Sequence, residues 1–244
     1  MIELNLFQCY LTNNDCYNDG RWITPTHIVV HDTGVKNRTI KRYVQPNVNG
    51  IGENKYNNDW NRTGLTKCVH AFIGELEDGT IATCQTLPWN KRGWHVGSGR
   101  KGSYNNNAIG FEICQDLDSE EYFKKVYKEA VELCVYLCKE YNIPVENIVC
   151  HHEAYQLGYG SNHADVTEWF PIYGKSMDAF REDVEKEMAA ENNTADVNTP
   201  DDYAAEAWNW GIKNGLTTGE SPKANILRQD MMLMLYQYHK KFVL

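Results

Sequence analysis

Apolar residues in this chain cluster in short blocks with two different periods. "HIVVH" (27–31) is β-branched and apolar, and it reads as a buried strand. "KCVHAFIGEL" and "IATCQTLP" flank "EDGT", the pattern of a hairpin closed by an Asp-Gly turn. "AIGFEICQD" (108–116) predicts another strand. After Ser119 the period changes. Phe123, Val126, Tyr127, Ala130, Val131, Cys134 and Leu137 line one face of a long helix, with Ser119 as its N-cap and Pro144 as its stop. "ENIVCHHEAY" predicts a short strand followed by a loop, and "SMDAFREDVEKEMAAE" a second helix. "NRTIKRYVQP" predicts a short helix ending before Pro46.

Between these blocks lie polar stretches. Residues 1–24 read as mostly irregular. From Gly50 to Lys67 the chain is rich in Asn and Gly, and a loop of that length inside a compact domain is usually functional. Strands and helices alternate in a mixed order, which predicts an α/β fold with a central mixed β-sheet flanked by helices. That domain spans 1–189. "AENNTADVNTPDD" is small, polar and acidic and suits a linker, placed at 190–200. Residues 201–244 show two helical patterns around a Gly-containing turn, a small all-α unit.

Composition narrows the function. The 244 residues are 42% hydrophobic, ample for a substantial core. The formal charge of −9 and the lack of a clustered Lys/Arg patch exclude nucleic acid as the main partner. No run approaches a membrane span, and "MIELNLFQCY" lacks a basic start followed by an apolar stretch, so no signal peptide is read and synthesis in the cytoplasm is expected. The eight Cys form no CxxC pair and are expected to be reduced, buried thiols.

Three motifs carry chemistry. His31 ends "HIVVH", His151 follows the strand in "IVCHHEAY", and His163 and Asp165 share "SNHADV". If the two strands are neighbours, two imidazoles converge at one sheet edge and Asp165 completes the set. Two His and one Asp, with a fourth position left for water, is the composition of an open catalytic zinc site. His152 competes with His151, because strand alternation lets only one of them face the site. Glu112 interrupts the apolar strand "AIGFEIC" on the face opposite Ile109, Phe111 and Ile113. Facing a cleft there, its pKa would rise and suit it to general-base work. A Glu facing solvent from an edge strand is the plainer reading. His163 can aim at an oxyanion forming beside the metal. His70 and His95 are either polar core residues or lining of a substrate groove.

The order "HIVVHDTG", "VHAFIGELEDGTI", "LPWNKRGWHVGSG", "AIGFEIC", "NIVCHHEAY" and "SNHADV…WFPIYGKSMDAFR" resembles the zinc-dependent N-acetylmuramoyl-L-alanine amidases of the amidase-2, or peptidoglycan-recognition-protein, family, in particular the clostridial and phage endolysin branch. The similarity covers roughly residues 5–187. It implies hydrolysis of the amide between N-acetylmuramic acid and the L-alanine of the stem peptide in peptidoglycan. It implies zinc on His31, His151 and Asp165, choosing His151 over His152. It implies Glu112 as general base and His70, Trp94 and His95 lining the substrate groove. Many relatives carry Lys where this chain has His163, so the activity is expected at a lower pH than theirs. A non-catalytic peptidoglycan-binding module of the same fold is the alternative. The protein would act at the bacterial wall after release from the cell. The C-terminal unit resembles a single S-layer-homology repeat; such repeats usually bind cell-wall polymers in threes, so here either several chains combine theirs, or the unit binds something else, or it is a packing appendage. Its apolar Met231, Met232, Leu233, Met234 and Leu235 would serve either self-association or an ordinary two-helix core.

Overall fold

The computed structural model describes residues 4–194, 200, 202–217 and 228–242. The chain divides into two compact units, Met1–Ala189 and Ala190–Leu244. A six-stranded sheet organises the first: β1 (Leu6–Gln8), β2 (His27–Lys36), β3 (Ala71–Glu75), β4 (Ile81–Gln85), β5 (Ala108–Gln115) and β6 (Ile148–Cys150). The spatial order is β1-β4-β3-β5-β2-β6. The β3–β4 hairpin is the antiparallel pair, and the others are parallel. Gly79, at φ +84°, closes that hairpin where the Asp-Gly pair predicts it.

Helices of this unit are α1 (Asp15–Asn18), α2 (Glu120–Tyr141), α3 (His151–Leu157), α4 (Val166–Trp169) and α5 (Met177–Thr194). The Ser119 hydroxyl accepts the Tyr122 N–H at the start of α2, and Asn142 closes its end at φ +51°. All seven apolar positions read from its period are buried, packed with Ile28, Val30, Ile109, Phe111 and Ile113 of the sheet. The opposite face is covered by loop residues instead. There Phe72, Ala82, Cys84 and Cys114 pack with Leu11, Ile40, Tyr43, Val44 and Ile51. All eight thiols are free and buried.

Several expectations need correction. The N-terminal segment is not irregular throughout. It contributes β1, which adds to the sheet edge beside β4, and the short α1. Three- and four-residue elements carry too few positions to show a period. β2 does not stop at His31 but runs to Lys36, with its register on β5 slipping between Asp32 and Lys36. "NRTIKRYVQP" holds only a 3-10 turn, Ile40–Arg42. The stretch after β6 is helical rather than a loop, because α3 begins at His151 itself. Helix α5 continues to Thr194, so residues 190–194 of the expected linker are helical.

The second unit contains α6 (Asp202–Lys213) and α7 (Arg228–Phe242). The Trp210 ring lies 6.1 Å from that of Tyr238 and 5.5 Å from that of Phe242. Lys241 donates to the Asn214 carbonyl. Met231, Met232, Leu233 and Leu235 are exposed. The Gly-containing turn expected between these helices falls partly on residues 218–227, which lie outside the described residues. Among the described residues no helix is long and apolar enough to cross a membrane.

Helix α5 is fixed to the core through fully buried Phe180, 5.4 Å from the Tyr127 ring and 5.9 Å from that of Phe170. Phe180→Ala is expected to cost about 3–5 kcal/mol in urea unfolding. A loss under about 1 kcal/mol, the range of surface changes, would show that this packing does not hold α5 in place.

Candidate functional site

In the parallel pair β2–β5, Val29 lies opposite Gly110 and His31 opposite Glu112. Paired residues share a face of the sheet, and alternate residues exchange faces. Ile28, Val30, Ile109, Phe111 and Ile113 point into the core beneath α2. His31 and Glu112 therefore share the other face. Strand β6 pairs with β2 as far as Val30 opposite Cys150. The next residue is His151, delivered beside His31 on the first turn of α3.

Polar links hold α3 in place. The Cys150 N–H donates to Glu153 Oε2 at 3.0 Å. Arg181 of α5 donates to both Glu153 oxygens at 3.0 Å and to the Ile148 carbonyl at 2.8 Å. Asp165 arrives on a strained backbone, φ +47° and ψ −135°. Such a conformation persists only where the surroundings over-determine it. Here Val166, Trp169 and Phe170 follow at once and are buried. The Trp169 and Phe170 rings lie 5.5 and 5.7 Å from that of Phe123.

Three elements thus bring three ligand atoms together. Asp165 Oδ2 accepts from His31 Nδ1 at 3.1 Å and from His151 Nδ1 at 2.9 Å. The ligand atoms of the trio lie within 4.8 Å of one another. Burial would lift the Asp165 carboxyl, but the hydrogen bonds from His151 and His31 hold it well below the usual carboxylate range. Burial drives His31 toward the neutral form. A neutral imidazole and an ionised carboxylate are the forms that bind a metal, so this donor set fits a divalent cation.

The remaining ring nitrogens are engaged too. His31 Nε2 lies 3.0 Å from His95 Nδ1, and His151 Nε2 lies 3.2 Å from Ser161 Oγ. Such outer contacts decide which nitrogen faces the centre. His95 packs against Gly110, where a Cβ would come within 2.4 Å of the ring. Fully buried Asn105 accepts the His95 and Val96 N–H groups at 2.8 and 3.1 Å.

Glu112 faces a cleft of about 430 Å³ lined by Trp60, Lys67, Trp94 and the trio itself. Its Oε2 is enclosed without a hydrogen-bond partner. Burial pushes its carboxyl well above the usual range, Asp165 and Asp32 add to the rise, and Lys67 opposes it. A carboxyl of high proton affinity facing an open cleft is placed to accept and return a proton. His163 is exposed, with its ring stacked 4.4 Å from that of His151 and its Nδ1 3.1 Å from Ser161 Oγ. Trp94 stands at the rim, 38% exposed.

One expected role is corrected. His70 is fully buried and does not line the groove. Its Nε2 donates to the Lys91 carbonyl at 2.7 Å, and its Nδ1 accepts the Gly110 N–H at 3.0 Å. Burial lowers its pKa to about 4, which keeps it the neutral tie between two loops and β5. His95 lines the cleft, with its Nδ1 3.0 Å from His31 Nε2. The competition between His151 and His152 is settled by the helix rather than by strand alternation. His152 pairs with Gln156 outside the cleft, at 2.9 Å. Sequence reading missed Trp60, Lys67, Asn105 and Ser161. Trp60 and Lys67 lie in the loop already marked as functional by its length. Asn105 and Ser161 give no signal outside the folded contacts.

The closeness of Gly110 to His95 gives a test. Gly110→Ala is expected to displace the His95 ring and to cost about 1–3 kcal/mol, as overpacking does. Nitrogen-15 NMR of the imidazoles should show the His31–His95 coupling lost. An unchanged His31 spectrum would mean that the ring contact does not orient His31.

Comparison with known proteins agrees with this architecture. The Amidase_2 family, described as N-acetylmuramoyl-L-alanine amidase, matches residues 21–167. The N-acetylmuramoyl-L-alanine amidase CwlH of Bacillus subtilis (strain 168) is 42% identical over 67 residues, 28% of this chain and 26% of that protein. The N-acetylmuramoyl-L-alanine amidase XlyA of the same organism is 29% identical over 153 residues, 61% of this chain and 43% of that protein. The chain thus spans less than half the length of either curated relative. The solved catalytic domain of XlyA superposes with a TM-score of 0.53 at 24% identity, covering 74% of this chain and 99% of that one, a likeness of fold. With the family matched over more than half of its length, the chain belongs to the Amidase_2 family of N-acetylmuramoyl-L-alanine amidases.

Proposed function

We propose that this protein is a zinc-dependent peptidoglycan hydrolase, an endolysin or autolysin that cuts the amide between N-acetylmuramic acid and the L-alanine of the stem peptide. The observation that carries the reading is the convergence of His31, His151 and Asp165 within 4.8 Å, beside Glu112 in an open cleft. Family membership points to the same bond. His31 Nδ1, His151 Nδ1 and an Asp165 oxygen would hold the ion. Bound there, zinc supplies Lewis acidity toward a carbonyl oxygen and lowers the pKa of water to about 7.

This chain's own groups divide the remaining work. Glu112 takes the proton of the attacking water and returns it to the departing alanine amine. Its enclosed, unpartnered Oε2 and its raised proton affinity support that role. His163, exposed beside His151, donates to the oxyanion of the tetrahedral intermediate. His95 and Ser161 hold the two imidazoles in register. Trp94 offers a flat apolar surface at the rim to the substrate. For the second unit, its sequence likeness to an S-layer-homology repeat supports a role in wall attachment.

Digestion of purified peptidoglycan with end-group analysis tests the reading. New free amines on L-alanine with intact glycan chains are expected. Glu112→Gln should lower the rate by about 10² to 10⁴ while zinc content stays near that of the wild type. Wall binding without new amines in the wild type would instead mark a recognition module. Asp165→Ala should lose the ion, read by mass spectrometry of the purified protein. Retention of one zinc per chain in that variant would place the metal elsewhere. A chain ending at Thr194 should co-sediment with walls more weakly than the full chain. Equal sedimentation would remove the attachment role.

A further inference from the structure

The cleft carries one feature that the hydrolysis itself does not use. Its carboxylates are Asp32, Glu112 and Asp165, and among the described residues lining it Lys67 is the one lysine or arginine. The Lys67 ammonium does not settle on a carboxylate. It rests over the Trp60 ring, 4.7 Å from the centroid. A cation held on an aromatic face keeps its donors free for a ligand.

The backbone beneath it is built to stay there. Asn14 is fully buried, and its side-chain amide donates to the carbonyls of Trp60 at 2.9 Å and of Lys67 at 3.1 Å. One side chain from the N-terminal segment thus clamps both members of the pair. The next residue, Cys68, exchanges backbone hydrogen bonds with Trp94 at 3.1 and 2.9 Å. Trp60, Lys67 and Trp94 therefore form one rim, fixed by buried groups although all three lie outside the named strands and helices. Pre-organisation of this kind lowers the entropy lost when a ligand binds.

Position says which part of a substrate meets this rim. The sheet runs β3-β5-β2-β6 across the site. His151 and His163 follow β6, on one side of Glu112, whereas Lys67 precedes β3, on the other. Glu112 is the group that hands a proton to the leaving amine, so the rim on its far side meets the peptide that departs.

We propose that Lys67 binds a free carboxylate on the peptide side of the cleaved amide and makes the enzyme selective for acidic stem peptides. This rests on the amide-hydrolase reading above. The carboxylate we assign to Lys67 is that of the residue after L-alanine, which carries either a free acid or a carboxamide. Lys67 is a specificity residue: it touches the substrate away from the reacting atoms. The contact is equally present in the ground state and the transition state, so the preference it gives appears in KM, whereas losing the Lys67 charge acts on Glu112 alike for both substrates.

The experiment uses two synthetic muramyl peptides, identical except for a free carboxylate or a carboxamide on the residue after L-alanine. Zinc-loaded wild type, Lys67→Met and Lys67→Arg are compared, with melting curves and zinc content confirming that each variant is folded and loaded. Wild type should show a KM about tenfold lower for the acid, the scale of one charge-assisted hydrogen bond. Lys67→Met should show one KM for both substrates, any change in kcat from losing the charge that acts on Glu112 falling alike on both, and Lys67→Arg should restore most of the preference. Titration calorimetry of the two released peptides should rank them in the same order. A Lys67→Met enzyme that keeps the preference overturns the proposal. So does a preference that the wild type expresses in kcat rather than in KM, which would make Lys67 part of the reacting centre. Wild type that cleaves neither peptide refutes the hydrolase reading instead, and calorimetry then still decides whether Lys67 selects the acid.

Discussion

Two parallel strands cannot slide past one another by one residue without exchanging every side chain between faces. In this protein that constraint acts on β2 and β5. Ile28, Val30, Ile109, Phe111 and Ile113 are all buried on one face under α2. Slipping either strand by a residue would expose these side chains to the wrong layer, at roughly 1.5–3 kcal/mol each. The apolar face therefore fixes the register, and the register places His31 opposite Glu112 on the reverse face. His31 and Glu112 are held together by the packing of the opposite face.

The same economy positions His151 and Asp165. His151 depends on Arg181 of α5 binding Glu153 of α3 with two hydrogen bonds. Asp165 depends on Trp169 and Phe170 anchoring the chain just beyond it. The site then holds what a folded protein otherwise avoids: a non-glycine residue at φ +47°, an enclosed carboxylate oxygen without a partner, and two buried imidazoles around one acid. Such costs are tolerated where the surrounding packing is strong enough to hold them, and they gather where chemistry is done.

Loop coverage of the second sheet face has a functional side. Helix α2 seals one face, but the other is covered by residues 9–16, 40–51 and the stretch leading into β3. A loop-covered face can open into a cleft without breaking a helix. It also lets a residue as far away in sequence as Asn14 set the position of Trp60 and Lys67.

Much of this was legible in the residues. The hairpin, the β5 strand and α2 with its cap are encoded by neighbours a few positions apart, through period, turn chemistry and capping. The assignment of Ile109, Phe111 and Ile113 to one face and Glu112 to the other needs nothing beyond strand alternation. His31, His151 and Asp165 stood out as candidates because imidazoles beside buried strands are unusual, and the order of motifs carried the family resemblance. What could not be read are the facts that depend on partners distant in sequence. β1 is too short to announce itself and exists because β4 offers it an edge. His151 faces the centre because a helix starts at that residue. His70 looked like a groove residue, yet the fold surrounds both of its nitrogens with backbone groups from Lys91 and Gly110. The local code ends where side-chain contacts span dozens of residues, since a hydrogen bond or a shared ligand leaves no periodic trace along the chain.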